Sequence, residues 1–369
     1  MIPLAKPEMG SREEELVLEV LRSGRLSLGP MLERFERELA AWLGVEDAVA
    51  VSSGTAALHL GVRANGWGVD EEVVTSPLSF VASANCLLYE GARPVFCDVD
   101  PVTLDLDPAA AAAAVSERTV GILPVHIFGY PAAMSELESL AAKRGLGMLE
   151  DACEALGAVD SEGKRVGARG NLATFAFYAN KQLATGEGGM IVPPDPGLAE
   201  RLRSERNQAR AADMGWLDHG GLGFNYRLSD VAAALGVAQL ERLDSMLAAR
   251  ERLAGLYGDG LAALGIDDLV LPGPGRTPER RSWFVYVVQL PEEVDRDATI
   301  RKLGERGVAS KPYLPCIHLF PHLRELGYRE GRFPVAEAAS ARSLALPFFP
   351  SMSESQVAQV CESLAGSLS

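Results

Sequence analysis

Between residues 48 and 192 the chain alternates short apolar runs with helical patterns of about ten residues, and this alternation restricts the folds open to it. The apolar runs fall at 48–51, 72–75, 94–98, 119–125, 146–149, 172–178 and 190–192. Helical spacing falls between them at 56–62, 80–89, an Ala-rich 109–115 and 134–144. Strands joined by crossover helices pair in parallel, so the pattern predicts an α/β fold: a mainly parallel sheet with helices on both faces. Two amphipathic helices precede it, at 13–21 and 31–43, stopped by Ser23-Gly24-Arg25 and by Gly44. Beyond Leu198 helices dominate. Residues 231–261 read as two helices interrupted at Gly236 and Gly255, and Pro272-Gly-Pro-Gly275 as a loop. A strand at 282–290, a helix at 297–306, a Pro-rich stretch at 311–321 and a last helix at 353–364 suit a smaller α+β domain. The expected division is a large domain, 1–245, and a small C-terminal domain, 246–369.

Bulk properties narrow the function. A net charge of −15 argues against nucleic acid, whose phosphates are bound through surplus Lys and Arg. A few local arginines can still hold a small anion. The chain's start has no basic segment followed by an apolar one, and no apolar run is long enough to span a bilayer. Cys86, Cys97, Cys153, Cys316 and Cys361 lack metal-ligand spacing and read as reduced thiols of a cytoplasmic protein. The histidines show no zinc spacing either, so no metal site is expected. Neither a Gly-x-Gly-x-x-Gly turn nor a Walker loop supports dinucleotide or nucleoside-triphosphate chemistry.

Three local features carry chemistry. The stretch Phe175-Ala-Phe-Tyr-Ala-Asn-Lys-Gln-Leu-Ala-Thr-Gly-Glu-Gly-Gly-Met190 delivers Lys181 from an aromatic strand into a Gly-rich turn. Desolvated there, its amine is a usable nucleophile towards a carbonyl; snorkelling from a loop is the ordinary alternative. Ser52-Ser-Gly-Thr55 sits where a strand hands over to a helix, a point at which free N–H groups attract an anion, or where Ser53 simply caps. Asp151 ends the run at 146–149, where open α/β sheets bind ligands, and could equally cap the following helix. A phosphate, a protonated ring nitrogen and an aldehyde are the partners these three groups need together, which points to pyridoxal 5′-phosphate.

With those residues in place the chain resembles, over nearly its whole length, the DegT/DnrJ/EryC1/StrS family of sugar aminotransferases. The resemblance rests on Ile2-Pro-Leu-Ala-Lys-Pro7, Ser52-Ser-Gly-Thr-Ala-Ala-Leu-His59, Pro124-Val-His126, Glu150-Asp151, Ala155-Leu-Gly157, Thr185-Gly-Glu-Gly-Gly189, Gly223-Phe-Asn-Tyr-Arg227, Ile317-His318 and Ala345-Leu-Pro-Phe-Phe349. It implies the fold-type I aminotransferase architecture and a homodimer with active sites at the interface. By the same resemblance Lys181 is the lysine that bonds the cofactor and shuttles the proton, and Asp151 pairs with the pyridinium nitrogen. Ser53, Gly54 and Thr55 hold the phosphate, Phe80 covers the ring, and Glu154 lies by the ring or its 3-hydroxyl. Asn225 reaches the phosphate of the neighbouring subunit's cofactor. Arg227, Lys311, Tyr313 and His318 belong to segments associated with the nucleotide sugar. Arg25, Arg206, Arg210 and Lys311 are the candidates for a basic pocket.

The branch of the family that removes a C3 hydroxyl has histidine where this chain has Lys181. Glu154, Asn180-Lys181 and Thr185-Gly-Glu187 look most like the perosamine-synthase branch, which implies amination at C4 of a nucleotide-linked 4-keto-6-deoxy sugar with glutamate as donor. Amination at C3 or of a keto-cyclitol, or a non-catalytic regulatory or scaffold role, are the alternatives. One position departs from the family: a serine that usually gives its hydroxyl to the phosphate is Ala176 here. A lost hydrogen bond to a charged acceptor weakens binding by about 1.5–3 kcal/mol. Ala176→Ser is therefore expected to tighten cofactor binding in a spectroscopic titration, and an unchanged affinity would show that no such bond is missed.

Overall fold

The computed structural model describes residues 1–210, 218–273 and 279–368. Two N-terminal helices, α1 (Ser11–Ser23) and α2 (Pro30–Leu43), lead into the alternating region. There β1 (Val49–Val51), α3 (Gly54–Asn65), β2 (Glu72–Thr75), α4 (Ala82–Tyr89), β3 (Arg93–Phe96), α5 (Pro108–Ala114), β4 (Thr119–Leu123), α6 (Met134–Arg144), β5 (Gly147–Asp151), β6 (Leu172–Ala176) and β7 (Gly189–Val192) follow in order. They form a seven-stranded sheet of order β1-β7-β6-β5-β4-β2-β3. β7 pairs antiparallel with both its neighbours, and the other pairings are parallel. As a result β1, β2, β4, β5 and β6 all end at the same edge of the sheet, the edge at which a ligand is expected. β1, β2 and β7 are buried along their whole length, as strands covered on both faces must be.

After α7 (Pro196–Glu205), the helices α8 (Asp230–Leu240) and α9 (Leu243–Ala263) replace the pair expected at 231–261. Neither glycine marks the break, which falls at Glu241 and Arg242. Gly236 is a packing residue: a Cβ there would lie 2.7 Å from the ring of Phe35 on α2. Gly255 lies inside α9 with open space around it. The C-terminal part holds β8 (Tyr286–Gln289), α10 (Arg296–Glu305), β9 (Lys311–Pro312), α11 (Pro321–Arg324), α12 (Pro334–Arg342), β10 (Ser343–Leu346) and α13 (Glu354–Leu368). β8, β10 and β9 make a three-stranded antiparallel sheet in that order. Its core joins α9 and α13 through Tyr257, Tyr286, Val360 and Leu364, and includes Ile2 from the chain's start.

Two sequence expectations shift for physical reasons. The strand expected at 282–290 shortens to β8 because Ser282 N–H donates to Gly129 O at 3.0 Å and leaves the ladder. The helix expected at 80–89 starts only at Ala82, so Phe80 stays outside it, 62% exposed. The Pro272–Gly275 loop expectation lies partly outside the described residues. Among the described residues no helix is long and apolar enough to cross a membrane.

The two glycines of the long helices call for opposite responses to alanine. Gly255→Ala gains helix propensity with nothing to meet and should stabilise by about 0.5–1 kcal/mol. Gly236→Ala drives a methyl into Phe35, and overpacking of about 1–3 kcal/mol outweighs the propensity gain. Urea unfolding of the two variants checks the pair; equal shifts would contradict the contact.

Candidate active site

The shared strand edge opens on a cavity of ≈ 520 Å³. Its wall includes Ser53, Gly54, Thr55, Phe80, Asp151, Glu154, Lys181 and Tyr313, so eight residues singled out from the sequence meet in one place. Ser53, Gly54 and Thr55 follow β1, Phe80 follows β2, Asp151 and Glu154 come from the end of β5, Lys181 follows β6 and Tyr313 follows β9.

The anion side is the first turn of α3. Ser53 has extended backbone and caps the helix, its Oγ accepting from Ala56 N–H at 3.1 Å. The capping account of Ser53 is thus correct, and it leaves the next two amides without an intrahelical partner. Those amides and the helix dipole favour negative charge. Gly54 is required by proximity: a Cβ there would sit 2.6 Å from the Ala176 methyl and 3.1 Å from Cys153 Sγ.

Asp151 closes β5 and is 6% exposed. Its Oδ2 accepts from Ser83 Oγ at 2.6 Å and its Oδ1 from Cys153 N–H at 3.1 Å. Two donors fix the carboxylate's plane and leave it further lone pairs for a cationic N–H. Burial, with Asp151 beside them, pushes the Cys153 and Cys86 thiols well up, so neither is a thiolate nucleophile.

Lys181 follows β6 in a turn held by its own N–H to Tyr178 O at 2.9 Å. Its Nζ lies 3.4 Å from Glu154 Oε1 and 3.9 Å from the centroid of the Phe284 ring. Glu154 also accepts from Phe128 N–H at 3.0 Å through Oε2 and from the Tyr313 hydroxyl at 3.1 Å through Oε1. Burial and this carboxylate push the Tyr313 hydroxyl well up, which keeps it a hydrogen-bond donor.

Other expected site residues lie elsewhere on the chain. Arg206 is buried against Glu36 and the Ala50 carbonyl, a structural pair and not part of a basic pocket. His318 is fully buried, its Nε2 3.2 Å from Glu337 Oε1 and its ring edge-on to Phe333. Burial holds it below its ordinary value of 6.5, as in a core histidine. Arg25, Asn225 and Lys311 are exposed and Arg210 partly buried, all four away from the cavity wall. Arg227 is tied to Asn207 Oδ1 at 3.0 Å. Sequence reasoning passed over Ser83, Cys153, Gln182 and Phe284. Ser83, Gln182 and Phe284 touch named site residues across a long stretch of chain, which no local spacing announces, while Cys153 meets Asp151 from two residues away.

A seven-stranded, mainly parallel sheet carrying a lysine, a buried aspartate and a helix-start anion site around one cavity defines the class: an aminotransferase-type α/β fold. The chain belongs to the DegT/DnrJ/EryC1/StrS aminotransferase family, whose model matches residues 7–365. It is 38% identical to the spore coat polysaccharide biosynthesis protein SpsC of Bacillus subtilis, over 98% of this chain and 96% of that one. It is also 38% identical to the GDP-perosamine synthase of Caulobacter vibrioides, over 98% and 97%. Among solved structures it is similar to the aminotransferase TlmJ from Streptoalloteichus hindustanus, with a TM-score of 0.93, 34% identity and coverage of 100% and 99%. Members of the family are pyridoxal-phosphate-dependent transaminases, and this chain is an aminotransferase. Its donor set fits that cofactor: unpaired helix-start amides for a phosphate, a fixed carboxylate for a ring nitrogen, and an amine for the aldehyde.

The position of His318 has a consequence for stability. The unfolded chain takes up a proton below about pH 6.5 that the folded chain resists, so stability falls as pH drops through that window. His318→Phe should lose less stability than wild type between pH 7.5 and 5.5, read as the change in urea midpoint. An identical pH dependence would show that His318 does not contribute.

Proposed function

We propose that the protein transfers an amino group from glutamate to a nucleotide-linked keto sugar, at C4 of a 4-keto-6-deoxy sugar, using pyridoxal 5′-phosphate. The observation that carries the reading is the meeting of Lys181, Asp151 and the first turn of α3 in one cavity. The similarity to a GDP-perosamine synthase over almost the full length of both chains supports the sugar assignment.

When bound, pyridoxal phosphate supplies a cationic ring that takes up negative charge from the carbon being deprotonated. The remaining work falls to side chains. Ser53, Gly54 and Thr55 hold the phosphate through amides and a hydroxyl, which fixes the ring's position relative to Lys181. Asp151, itself fixed by Ser83 and the Cys153 amide, holds a proton on the ring nitrogen. Lys181 Nζ takes the proton from the carbon that bears the donor's amine and returns one on the sugar side, in the opposite direction. Glu154 orients that amine and, with Tyr313, limits water beside it. Phe80 stands at the cavity's rim to cover the ring.

Asn225 belongs in this reading to a homodimer, and Arg227 and Lys311 to the side of the site that takes the nucleotide sugar. Asn225 is exposed and away from its own chain's cavity, as suits a residue that reaches the phosphate held by a second copy. The proposed division remains a large cofactor-binding domain, 1–245, and a small domain, 246–369, working in the cytoplasm.

A panel of nucleotide-linked keto sugars, with glutamate, tests the substrate. Expected is a 4-amino-6-deoxy product by NMR, with 2-oxoglutarate released in equal amount. A 3-amino product or turnover of an inosose alone would overturn the C4 assignment. Lys181→Ala should lose borohydride trapping of the cofactor and all turnover. Protein that stays colourless and takes up no pyridoxal phosphate would overturn the enzymatic reading itself.

A further inference from the structure

The Lys181 side chain, 13% exposed, is held on two sides. The Phe284 ring faces its Nζ at 3.9 Å, and Glu154 Oε1 stands 3.4 Å away. The two groups come from distant segments, one following β5 and the other preceding β8. A third residue joins them. Gln182, next to the lysine and 2% exposed, donates from Nε2 to the Glu154 backbone carbonyl at 2.6 Å and to Ser282 Oγ at 2.8 Å. An aromatic face on one side and a carboxylate on another make a site for an ammonium ion.

We propose that Phe284 and Glu154 form a seat for the Lys181 amine when it is not bonded to the cofactor, and that Gln182 is the positioning residue that keeps both halves of the seat in register. The role of the seat rests on the function proposed above. In transamination the lysine leaves the cofactor and returns to it, and between those events it has a long, freely rotating arm. Held between Phe284 and Glu154, the amine keeps one position at the cavity wall. Without the seat the arm spends its time in other rotamers, and turnover falls with no change in substrate binding.

The test compares Phe284→Leu, which keeps apolar bulk but removes the aromatic face, with Phe284→Tyr, which keeps the face, and Gln182→Met, which removes the amide. The first readout is the rate at which an amine-reactive reagent labels Lys181 in the cofactor-free full chain, followed by mass spectrometry. Phe284→Leu and Gln182→Met should label about twofold to thirtyfold faster than wild type, and Phe284→Tyr should label like wild type. In the holoenzyme kcat should fall by a similar factor for the first two variants, with KM for glutamate unchanged. Equal labelling of all four proteins, or a Tyr variant as reactive as the Leu variant, overturns the seat. If Phe284→Leu does not fold, Gln182→Met against Gln182→Glu decides the matter by the same labelling. Failure of wild type to bind pyridoxal phosphate would count against the proposed function, while the labelling still judges the seat.

Discussion

The site depends on how closely the first turn of α3 approaches the ends of β6 and β7. A Cβ on Gly189 would lie 2.5 Å from the Ser53 carbonyl carbon, and one on Gly54 would lie 2.6 Å from the Ala176 methyl. Any side chain at either glycine would push the helix start away from the strand that carries Lys181. The first turn of α3 and the segment that carries the lysine are thus held as neighbours by close contact at these two glycines. Gly186 serves the same end differently, with a φ of 84° that turns the chain back from the lysine towards β7.

Beside that fixed pair lies an electrostatic asymmetry. Among the described residues the cavity wall bears Asp151, Glu154 and Glu187 against one cationic side chain, Lys181. Glu187 is exposed to solvent, and the other two carboxylates are separately engaged. Asp151 takes two hydrogen bonds, and Glu154 takes one from a backbone amide, one from Tyr313 and one from the lysine. In the proposed function the acid excess also suits anion recognition by main-chain amides at the start of α3. Helix-start amides bind an anion without adding a side-chain cation that would compete with Lys181 for the carboxylates.

Much of this was legible in the sequence where the signal is local and periodic. β2 and α6 carry the expected bounds, Asp151 closes β5, and Lys181 follows β6 in a turn as the flanking apolar runs imply. Glycine in a helical pattern misled the reading, because a missing Cβ at Gly236 reflects the Phe35 ring and not a helix end. His318 misled it too. The resemblance places it in a segment associated with the nucleotide sugar, yet α12 supplies Glu337 and the ring packs on Phe333. Ser83, Gln182 and Phe284 were illegible because their partners lie 68, 28 and roughly a hundred residues away.

The turn after β4 shows how far such non-local control extends. Phe128 takes a φ of 54°, a conformation that costs a residue with a Cβ about 1–2 kcal/mol. Side chains from three places hold it: Asp105 accepts from Ile127 N–H at 3.1 Å, Glu154 accepts from Phe128 N–H, and Arg281 donates to Phe128 O at 3.2 Å. Gly129, at φ 83°, then brings the chain against Ser282 and Trp283, where a Cβ would lie 2.9–3.0 Å from their atoms. The strained turn therefore has two outputs. It fixes one oxygen of Glu154, and it anchors the segment that ends in Phe284. These are the two groups that face the Lys181 amine, so a buried Asp–Arg arrangement outside the cavity sets the lysine's surroundings through the backbone between them.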